Sequence, residues 1–449
     1  MSGRTEAAEA VVVGSGVMGA SIALALSRRG MRVTVVDKAS GPAQGSTAAT
    51  SAIIRFTYSL RDSIALAWES AHMWTSLRSH VRAPAEEPVA GFVRTGMAVL
   101  EVPGLLPPDI RMDFDALSIP YEDWTTADLE REIPGIVARR FFPPVRTDDP
   151  AFFADEPQPV TALHTPDGGY ISDPVLATEN FVRAARREGA RFRYGAEVVG
   201  IREAGTPRWE LELAEAAGGV SGGTGTRTTL RADVVVNAAG PWSSRINAMA
   251  GVGGDHGVSL TPLRQEVHTV PAESTVRRPD GSPIPALLDA GIGTYMRPEA
   301  GGQLLIGSAE PECDPLEWLG SPEEAEMRVR GAQFEAQVLR AAKRLSGVAV
   351  PNAPRGVVGV YDVASDWTPV YDRSSADGFY QAVGTSGNQF KNAPMVGELM
   401  ACLIEAVESG HDHDADPVRV PLPLTGGTLG LGIFSRLRTP AATSGTVMG

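Results

Sequence analysis

Three glycines near the start of the chain have the spacing of a loop that binds a pyrophosphate. Gly14, Gly16 and Gly19 form a GxGxxG pattern, and Asp37 follows them. In such a loop the first glycine permits a tight turn, the second lets backbone amides approach a pyrophosphate, and the third allows close packing of helix on strand. Asp37 can accept hydrogen bonds from ribose hydroxyls, and its charge would repel a 2′-phosphate. These four residues predict a dinucleotide site.

The elements around the glycines are those that such a loop requires. Residues 10–13 form a short apolar run, and residues 17–29 carry apolar side chains at helical spacing before Gly30. Residues 32–37 alternate β-branched side chains, which predicts a second buried strand. The N-terminus of the helix would face the phosphates with its partial positive charge. This unit supports dinucleotide binding but leaves NAD and FAD both open.

Further elements follow from the hydrophobic pattern and from turn residues. We predict a helix over 181–189, strand structure over 191–201 and a buried strand over 232–236. The low-complexity segment 217–226 is expected to form the tip of a hairpin between residues 209–213 and 228–232. A last helix should begin at Pro394 and pack on the N-terminal unit. Residues 139–160 are rich in Pro, Phe and Asp and are expected to be a connector.

Composition limits the classes of function. Hydrophobic residues are 43% and charged residues 21% of 449, which predicts a globular chain large enough for two interlocked domains. A net charge of −14 argues against a nucleic-acid partner. Cys313 and Cys402 are too few for a disulfide framework. The chain shows no secretion signal pattern and no apolar run of roughly 18 to 20 residues, so we expect a cytoplasmic protein without a membrane partner.

Three more blocks extend the comparison beyond the glycine loop. They are GSTAATSAIIRFTYS at 45–59, NAAGPWSS at 237–244 and GTSGNQFKNAPMVGELM at 384–400. With the glycine loop, they resemble in order the sarcosine, glycine and D-amino-acid oxidase family. The resemblance implies FAD, and an α/β fold in which a Rossmann-like FAD-binding domain of the glutathione-reductase type is interleaved with an antiparallel-sheet α+β substrate domain. The predicted FAD-binding domain covers 8–80, 160–255 and 345–410, the substrate domain covers 81–159 and 256–344, and 411–449 is a tail without a fold prediction.

The resemblance also implies cofactor contacts in each block. Ser46 and Thr47 would offer hydroxyls to the second phosphate or the ribityl chain, and Trp242 would pack beside the cofactor. The open loop at Gly387 would aim a helix N-terminus at the flavin pyrimidine edge, which favours the anionic reduced ring. The expected cofactor-binding residues are Gly14, Gly16, Val17, Met18, Gly19, Asp37, Lys38, Gly45, Ser46, Thr47, Ser51, Val198, Ala239, Gly240, Trp242, Gly387, Asn388, Gln389, Phe390 and Lys391.

The family pattern implies a substrate site as well. Arg55 and Lys391 match an arginine and a lysine that bind the substrate carboxylate in the resembling enzymes, where a two-pronged donor and a point charge fix its orientation. Tyr361 and, more weakly, Tyr58 match residues that border the substrate and the flavin. Tyr295 and Arg297 could also line the pocket. The implied reaction transfers a hydride from the carbon beside an amine nitrogen to flavin N5, giving an imine. The implied partners are a small amino acid or N-alkyl amino acid, and O2 or another electron acceptor.

Several positions depart from the family pattern. Gly359 stands where monomeric sarcosine oxidase has the cysteine that attaches flavin, and the STAATS block holds no histidine, so we expect non-covalent FAD. Leu305 stands near the position of the lysine that promotes reaction with oxygen, and Ala52 near that of a second arginine. The sequence therefore leaves open whether the protein is an oxidase or a dehydrogenase.

Two other functions remain open, and two metal-like or base-like patterns have simpler explanations. A flavin monooxygenase shares the N-terminal loop, and a flavin subunit of an amine dehydrogenase complex could lack turnover of its own.

The HDHDAD run at 411–416 suggests a metal site but is expected to be a solvated loop, and no metal is predicted. His268 is expected to be an ordinary strand histidine rather than a general base.

Overall fold

The computed structural model describes residues 5–154, 157–215, 226–273 and 275–449. Its helices are α1 (Val17–Arg28), α2 (Arg61–Thr75), α3 (Leu77–His80), α4 (Ile110–Ala116), α5 (Thr126–Glu132), α6 (Pro174–Arg187), α7 (Ser243–Ala250), α8 (Gly331–Arg344) and α9 (Ala393–Glu408). Its strands are β1 (Thr5–Ala7), β2 (Ala10–Val13), β3 (Val33–Val36), β4 (Ile53–Ile54), β5 (Phe92–Val93), β6 (Met97–Leu100), β7 (Glu122–Trp124), β8 (Ala162–Thr165), β9 (Gly169–Ile171), β10 (Arg191–Arg193), β11 (Ala196–Glu203), β12 (Trp209–Glu215), β13 (Arg227–Ala232), β14 (Val234–Asn237), β15 (Leu260–Pro271), β16 (Ala286–Asp289), β17 (Thr294–Glu299), β18 (Gln303–Ser308), β19 (Glu317–Trp318), β20 (Gly356–Ala364), β21 (Val370–Arg373), β22 (Phe379–Val383), β23 (Arg419–Pro421) and β24 (Thr428–Gly430).

A six-stranded sheet in the order β10-β3-β2-β14-β22-β21 forms the centre of the dinucleotide-binding unit. All neighbouring pairs are parallel except β21 with β22. Its central strands are valine-rich and fully buried, as expected for a parallel sheet covered on both faces. Helices α1 and α9 pack together on this unit, and the Ser21 hydroxyl donates to the Pro394 carbonyl. The predicted strand, helix, strand unit and the docking of the last helix are confirmed.

Two predicted elements differ from those observed. The strand predicted over 191–201 is two strands in different sheets, because Gly195, with φ of +62°, turns the chain between β10 and β11. Helix α6 begins well before residue 181, because the Asp173 side chain accepts a hydrogen bond from the Leu176 N–H and Pro174 occupies the first turn. The predicted hairpin flanks are confirmed as β12 and β13, which pair antiparallel, whereas the hairpin tip at 217–225 lies outside the described residues.

A nine-stranded sheet forms the second layer, with β19-β15-β18-β17-β16-β6-β8-β7 in order and β20 also paired to β15. It is antiparallel apart from the pair of β16 with β6. Strands β8 and β20 belong to this sheet, although both lie inside ranges that the sequence assigned to the FAD-binding domain. Helix α8 covers the sheet, and its Arg344 forms a fully buried ion pair with Asp289 at 2.5 Å. The residues at 139–160 border this layer, where Arg344 donates to the Arg139 carbonyl.

The C-terminal segment returns to the dinucleotide-binding unit. Strands β23 and β24 form a hairpin, and Arg436 pairs with Asp414 at 2.7 Å and with Asp372 at 3.2 Å. His413 is buried, with Nδ1 accepting a hydrogen bond from the Val418 N–H, so the expectation of a wholly solvated loop at 411–416 is wrong. The ion pairs of the buried Arg436 guanidinium hold this segment against the rest of the fold. Within the described residues, no helix has the length and apolar character needed to cross a lipid bilayer.

Candidate active site

A first cavity opens at the carboxyl ends of the parallel strands β2, β3, β14 and β22. Gly14 follows β2 with φ of +107°, and a β-carbon there would lie 2.3 Å from the Ala238 carbonyl oxygen. Gly19 lies in the first turn of α1 and packs against the Gly14 carbonyl. The glycine loop therefore brings the strand, the helix and the segment after β14 into contact around the mouth of the cavity.

The Asp37 carboxylate is held in place by main-chain donors. Its two oxygens accept hydrogen bonds from the Ser15 N–H at 2.6 Å and the Ala39 N–H at 2.8 Å. Burial raises the pKa of Asp37, although both N–H groups stabilise its charged form. Nearby, the Lys38 ammonium lies 3.5 Å from the centre of the Trp242 ring. The end of the cavity at β3 thus combines a fixed carboxylate with a flat aromatic surface.

Most of the predicted cofactor-binding residues line this first cavity. Ser46 and Thr47 do so while making internal hydrogen bonds: the Ser46 hydroxyl donates to the Val360 carbonyl, and the Thr47 hydroxyl accepts from the Val17 N–H. The predicted residues that line the cavity are Gly14, Gly16, Val17, Met18, Asp37, Lys38, Gly45, Ser46, Thr47, Val198, Ala239, Gly240, Trp242, Gly387, Gln389 and Phe390. Ser51, Asn388 and Lys391 line a second cavity instead.

The two cavities share a wall formed by Thr50, Tyr361, Gly387 and Phe390. The Tyr361 ring lies directly on the Gly387 backbone, since a β-carbon at Gly387 would lie 2.3 Å from two ring carbons. Burial, together with Tyr295 and Glu310, raises the pKa of Tyr361 well above its ordinary value. The neutral tyrosine ring therefore separates the space at the glycine loop from the space beyond it.

Arg55 and Lys391 both line the second cavity, and both lie near the ring of Tyr58. The Arg55 guanidinium carbon is 4.5 Å and the Lys391 ammonium 5.2 Å from the centre of the Tyr58 ring. Lys391 donates to the Tyr58 hydroxyl at 3.0 Å, and the hydroxyl donates to the Asn388 carbonyl at 2.8 Å. Burial, and then the charge of Arg55, lower the pKa of Lys391 well below its ordinary value. Two segments far apart in the sequence thus place two basic side chains together.

The C-terminal segment also reaches this second cavity, which the sequence did not indicate. Val447 and Met448 line it, and Arg55 donates to the Val447 carbonyl at 2.7 Å and to the Thr57 carbonyl. Ser59 donates from its N–H to the Gly449 carbonyl at 3.3 Å. A Gly- and Thr-rich tail carries no periodic pattern, so only the tertiary contacts show where it lies.

The remaining positions singled out from the sequence lie in or near the nine-stranded sheet. Leu305 packs in an apolar cluster with Tyr295 and Met448, and Tyr295 lines the second cavity. Arg297 donates to the Ser51 carbonyl at 2.7 Å but does not line either cavity. His268 is buried in β15 against Phe334, away from both cavities, as expected for a strand histidine.

Ala52 and Gly359 stand where the resembling family has larger side chains, and both positions are tightly enclosed in this protein. Ala52 is buried with φ of +52°, and a β-carbon at Gly359 would lie 2.9 Å from the Ala49 methyl group. Residues 46–51 and Gly359 therefore present no cysteine or histidine to the first cavity. Sequence reasoning missed other residues of the two cavities, most of which have no motif of their own: Ala39, Gln44, Glu197, Arg245, Asp362 and Thr385 in the first, and Met97 and Leu288 in the second.

The first cavity fits FAD in both shape and chemistry. The close backbone approach at Gly14 and the N-terminus of α1 suit a pyrophosphate, and the fixed Asp37 carboxylate suits a ribose without a 2′-phosphate. The far end of the cavity adjoins the residues 384–390 that precede α9. A dinucleotide with a ring system at that end would therefore reach the wall shared with the second cavity.

A family model described as FAD dependent oxidoreductase matches residues 9–403. The chain belongs to this family. Glycine oxidase of Geobacillus kaustophilus is 23% identical over 414 residues, which cover 90% of this chain and 94% of that protein. Mitochondrial dimethylglycine dehydrogenase of Mus musculus is 24% identical over 308 residues, which cover 68% of this chain but only 31% of that protein. The chain thus matches less than a third of the length of that relative.

Solved structures agree on the fold. The glycine oxidase of Geobacillus kaustophilus has a TM-score of 0.68 at 21% identity, covering 96% of this chain and 99% of that one. An L-proline dehydrogenase from P. horikoshii has a TM-score of 0.70 at 20% identity, covering 97% and 98%. The predicted family, the fold class and FAD as cofactor are confirmed.

Proposed function

We propose that this oxidoreductase oxidises the C–N bond of a small amino acid or N-alkyl amino acid, with FAD bound non-covalently. The observation that carries the proposal is the meeting of Arg55 and Lys391 beside a cavity that shares a wall with the FAD-binding cavity. Two basic groups in a buried site suit a carboxylate, and the shared wall suits a substrate carbon held against the flavin. FAD, when bound, accepts two electrons from the substrate. The names of two relatives of the chain, glycine oxidase and dimethylglycine dehydrogenase, support this class of reaction.

Each side chain of the site would have a distinct task. Arg55 would hold the substrate carboxylate through its planar donors, because its guanidinium keeps its charge even when buried. Lys391, which donates to the Tyr58 hydroxyl, would hold Tyr58 in place beside Arg55 and supply the second basic group for the carboxylate. Tyr361 would fix the position of the reacting carbon at the shared wall. Met97 and Leu288 would exclude water, which strengthens every polar contact within. Orientation of this kind supplies a large part of the rate.

The cofactor would be held by the residues predicted from the sequence that line the first cavity. Asp37 would bind the ribose, the N-terminus of α1 the pyrophosphate, and the Gly387 loop the flavin ring. Non-covalent attachment is supported by the absence of cysteine or histidine at Gly359 and in residues 46–51. Denaturation should therefore release free FAD, and attachment that survives denaturation would overturn this part of the proposal. A cytoplasmic location stays a prediction.

The test is anaerobic bleaching of the purified yellow protein. Amino acids and N-alkyl amino acids should bleach the flavin, amines without a carboxylate should do so poorly, and NAD(P)H should have no effect. Arg55→Met should raise the apparent Kd for substrate at least about tenfold without lowering FAD content, as expected for a lost charged hydrogen bond. Arg61→Met, at an exposed arginine, is the matched control.

The alternatives give different results in the same experiment. Admission of air then separates an oxidase, which reoxidises at once, from a dehydrogenase. A flavin monooxygenase would be bleached by NAD(P)H, and a subunit without turnover of its own would be bleached by dithionite alone. Failure of every amine to bleach a dithionite-reducible flavin would end the proposal of amine oxidation.

A further inference from the structure

Glu310 is a buried carboxyl group in the second layer, and Val447 bonds both to it and to Arg55. Glu310 follows β18 and is 5% exposed. One of its oxygens accepts a hydrogen bond from the Gln265 amide at 3.0 Å, and the other accepts from the Val447 N–H at 2.9 Å. Buried carboxylates are rare unless they have a partner, because burial penalises the charged form. In this protein the partners of Glu310 are a neutral amide and a piece of the C-terminal segment.

The main chain of Val447 joins Glu310 to Arg55. The Val447 N–H donates to Glu310, and its carbonyl accepts from Arg55 at 2.7 Å. Both groups belong to one residue, so the bonded unit is a nitrogen, an α-carbon and a carbonyl carbon. That unit is the skeleton of an α-amino acid. The Glu310 carboxyl and the Arg55 guanidinium are therefore spaced to bind the two ends of such a skeleton at once.

A free amino acid would satisfy these two groups better than Val447 does. The peptide N–H and carbonyl are neutral, whereas an amino acid presents a cationic amine to Glu310 and an anionic carboxylate to Arg55. Hydrogen bonds between ionised partners are shorter and roughly twice as strong as neutral ones. The ligand amine would also balance the charge of the Glu310 carboxylate when it ionises, and the ligand carboxylate would balance that of Arg55, which a peptide cannot do.

We propose that Arg55 and Glu310 form a two-ended site for an α-amino-acid unit, with Arg55 on the carboxylate and Glu310 on the amine, and that Val447 occupies this site until substrate displaces it. This inference rests on the proposed function and narrows its substrate class to α-amino acids and their N-alkyl derivatives. Glu310 is then the residue that selects for the amine. The residues around Val447 can move away while the segment before them stays in place. That segment is held by the ion pairs of Arg436 with Asp414 and of Arg438 with Asp366.

The test compares two kinds of ligand on the FAD-loaded protein. Binding is followed as the change in the flavin absorbance spectrum, with an amino acid that bleaches the wild type and with its analogue in which hydrogen replaces the amine. Glu310→Gln keeps the size and an acceptor but removes the ionisable carboxyl. It should raise the Kd of the amino acid by about tenfold or more while changing that of the analogue less than about threefold. Glu312→Gln, two residues away and exposed, is the control.

A second variant keeps the inference open to refutation if Glu310→Gln does not fold. Val447→Pro removes the N–H that donates a hydrogen bond to Glu310. The tail should then be bound less tightly in the site, and amino-acid binding should tighten by about threefold or more. Equal losses for both ligands in Glu310→Gln, or no change for either, would overturn the role of Glu310. Unchanged or weaker binding in Val447→Pro would overturn the role of the tail. Either result could occur while the wild type is still bleached by amino acids, so it is distinct from failure of the proposed function.

Discussion

Replacing Gly387 by alanine tests how tightly Tyr361 is held at the wall between the two cavities. Gly387 has φ of +68°, and a β-carbon there would lie 2.3 Å from two carbons of the Tyr361 ring. The left-handed backbone costs an alanine about 1 to 2 kcal/mol, and overpacking typically costs about 1 to 3 kcal/mol more. We therefore expect Gly387→Ala to lower the free energy of unfolding by about 2 to 5 kcal/mol.

Gly384 provides a matched control in the same loop. It has the same φ of +68°, but a β-carbon there would meet a Leu260 methyl group at 2.9 Å instead of the Tyr361 ring. Gly384→Ala should show the backbone cost with a smaller packing cost. Because the ring must move in Gly387→Ala, that variant alone should also slow bleaching of the flavin by amino acids.

The assay is denaturant unfolding of the FAD-loaded protein, repeated in a Tyr361→Ala background. Without the ring, the cost of Gly387→Ala should fall to the backbone value of about 1 to 2 kcal/mol. Two outcomes would refute the reasoning. One is a cost for Gly387→Ala no larger than that for Gly384→Ala, and the other is an unchanged cost when Tyr361 is absent.

Three further outcomes are expected. Asp37→Ala leaves the Ser15 and Ala39 N–H groups without their acceptor and should weaken FAD binding at least about tenfold, measured by reconstitution of apoprotein; full affinity would remove Asp37 from the site. Arg344→Met leaves Asp289 buried and unpaired and should cost about 3 to 5 kcal/mol of stability, with FAD affinity retained in the folded fraction. Burial raises the pKa of Glu310 to about 8, so its contribution to stability is full below the unfolded pKa near 4.5 and is lost as pH rises through 8. The free energy of unfolding, measured at a series of pH values, should fall by at most about 1.4 kcal/mol per pH unit between these two pKa values. Glu310→Gln should lack this fall, so it should appear in the difference between that variant and the wild type.

The dinucleotide-binding unit could be predicted because its signals are local. Gly14, Asp37 and the valine-rich strands lie within one short stretch, and each has its own conformational reason to be there. Helix α9 could also be predicted, since its apolar stripe is long and periodic. The predicted cofactor positions fall mostly around one cavity for the same reason, although their contacts with FAD remain predictions. Local consistency of this kind is what single-sequence reasoning can use.

The second layer was harder because its pairing is non-local. Strand β20 joins β15, nearly a hundred residues earlier, and its sequence alone does not say which sheet it enters. Glu310 and Val447 illustrate the same difficulty at the site. An isolated glutamate and a valine in a low-complexity tail carry no motif, and they become a pair only through the contacts of the folded chain.

The order of strands in the six-stranded sheet has a consequence for how the protein is made. Strand β14 lies between β2, from the start of the chain, and β22, from near its end. During synthesis, the N-terminal unit therefore emerges long before the strand and the loop that complete its cavity. Pairing between such distant segments is slow, and a partly made sheet exposes unpaired edges. FAD loading should consequently wait until residues 379–390 have been made, so a ribosome-bound nascent chain that ends before residue 379 would bind no flavin.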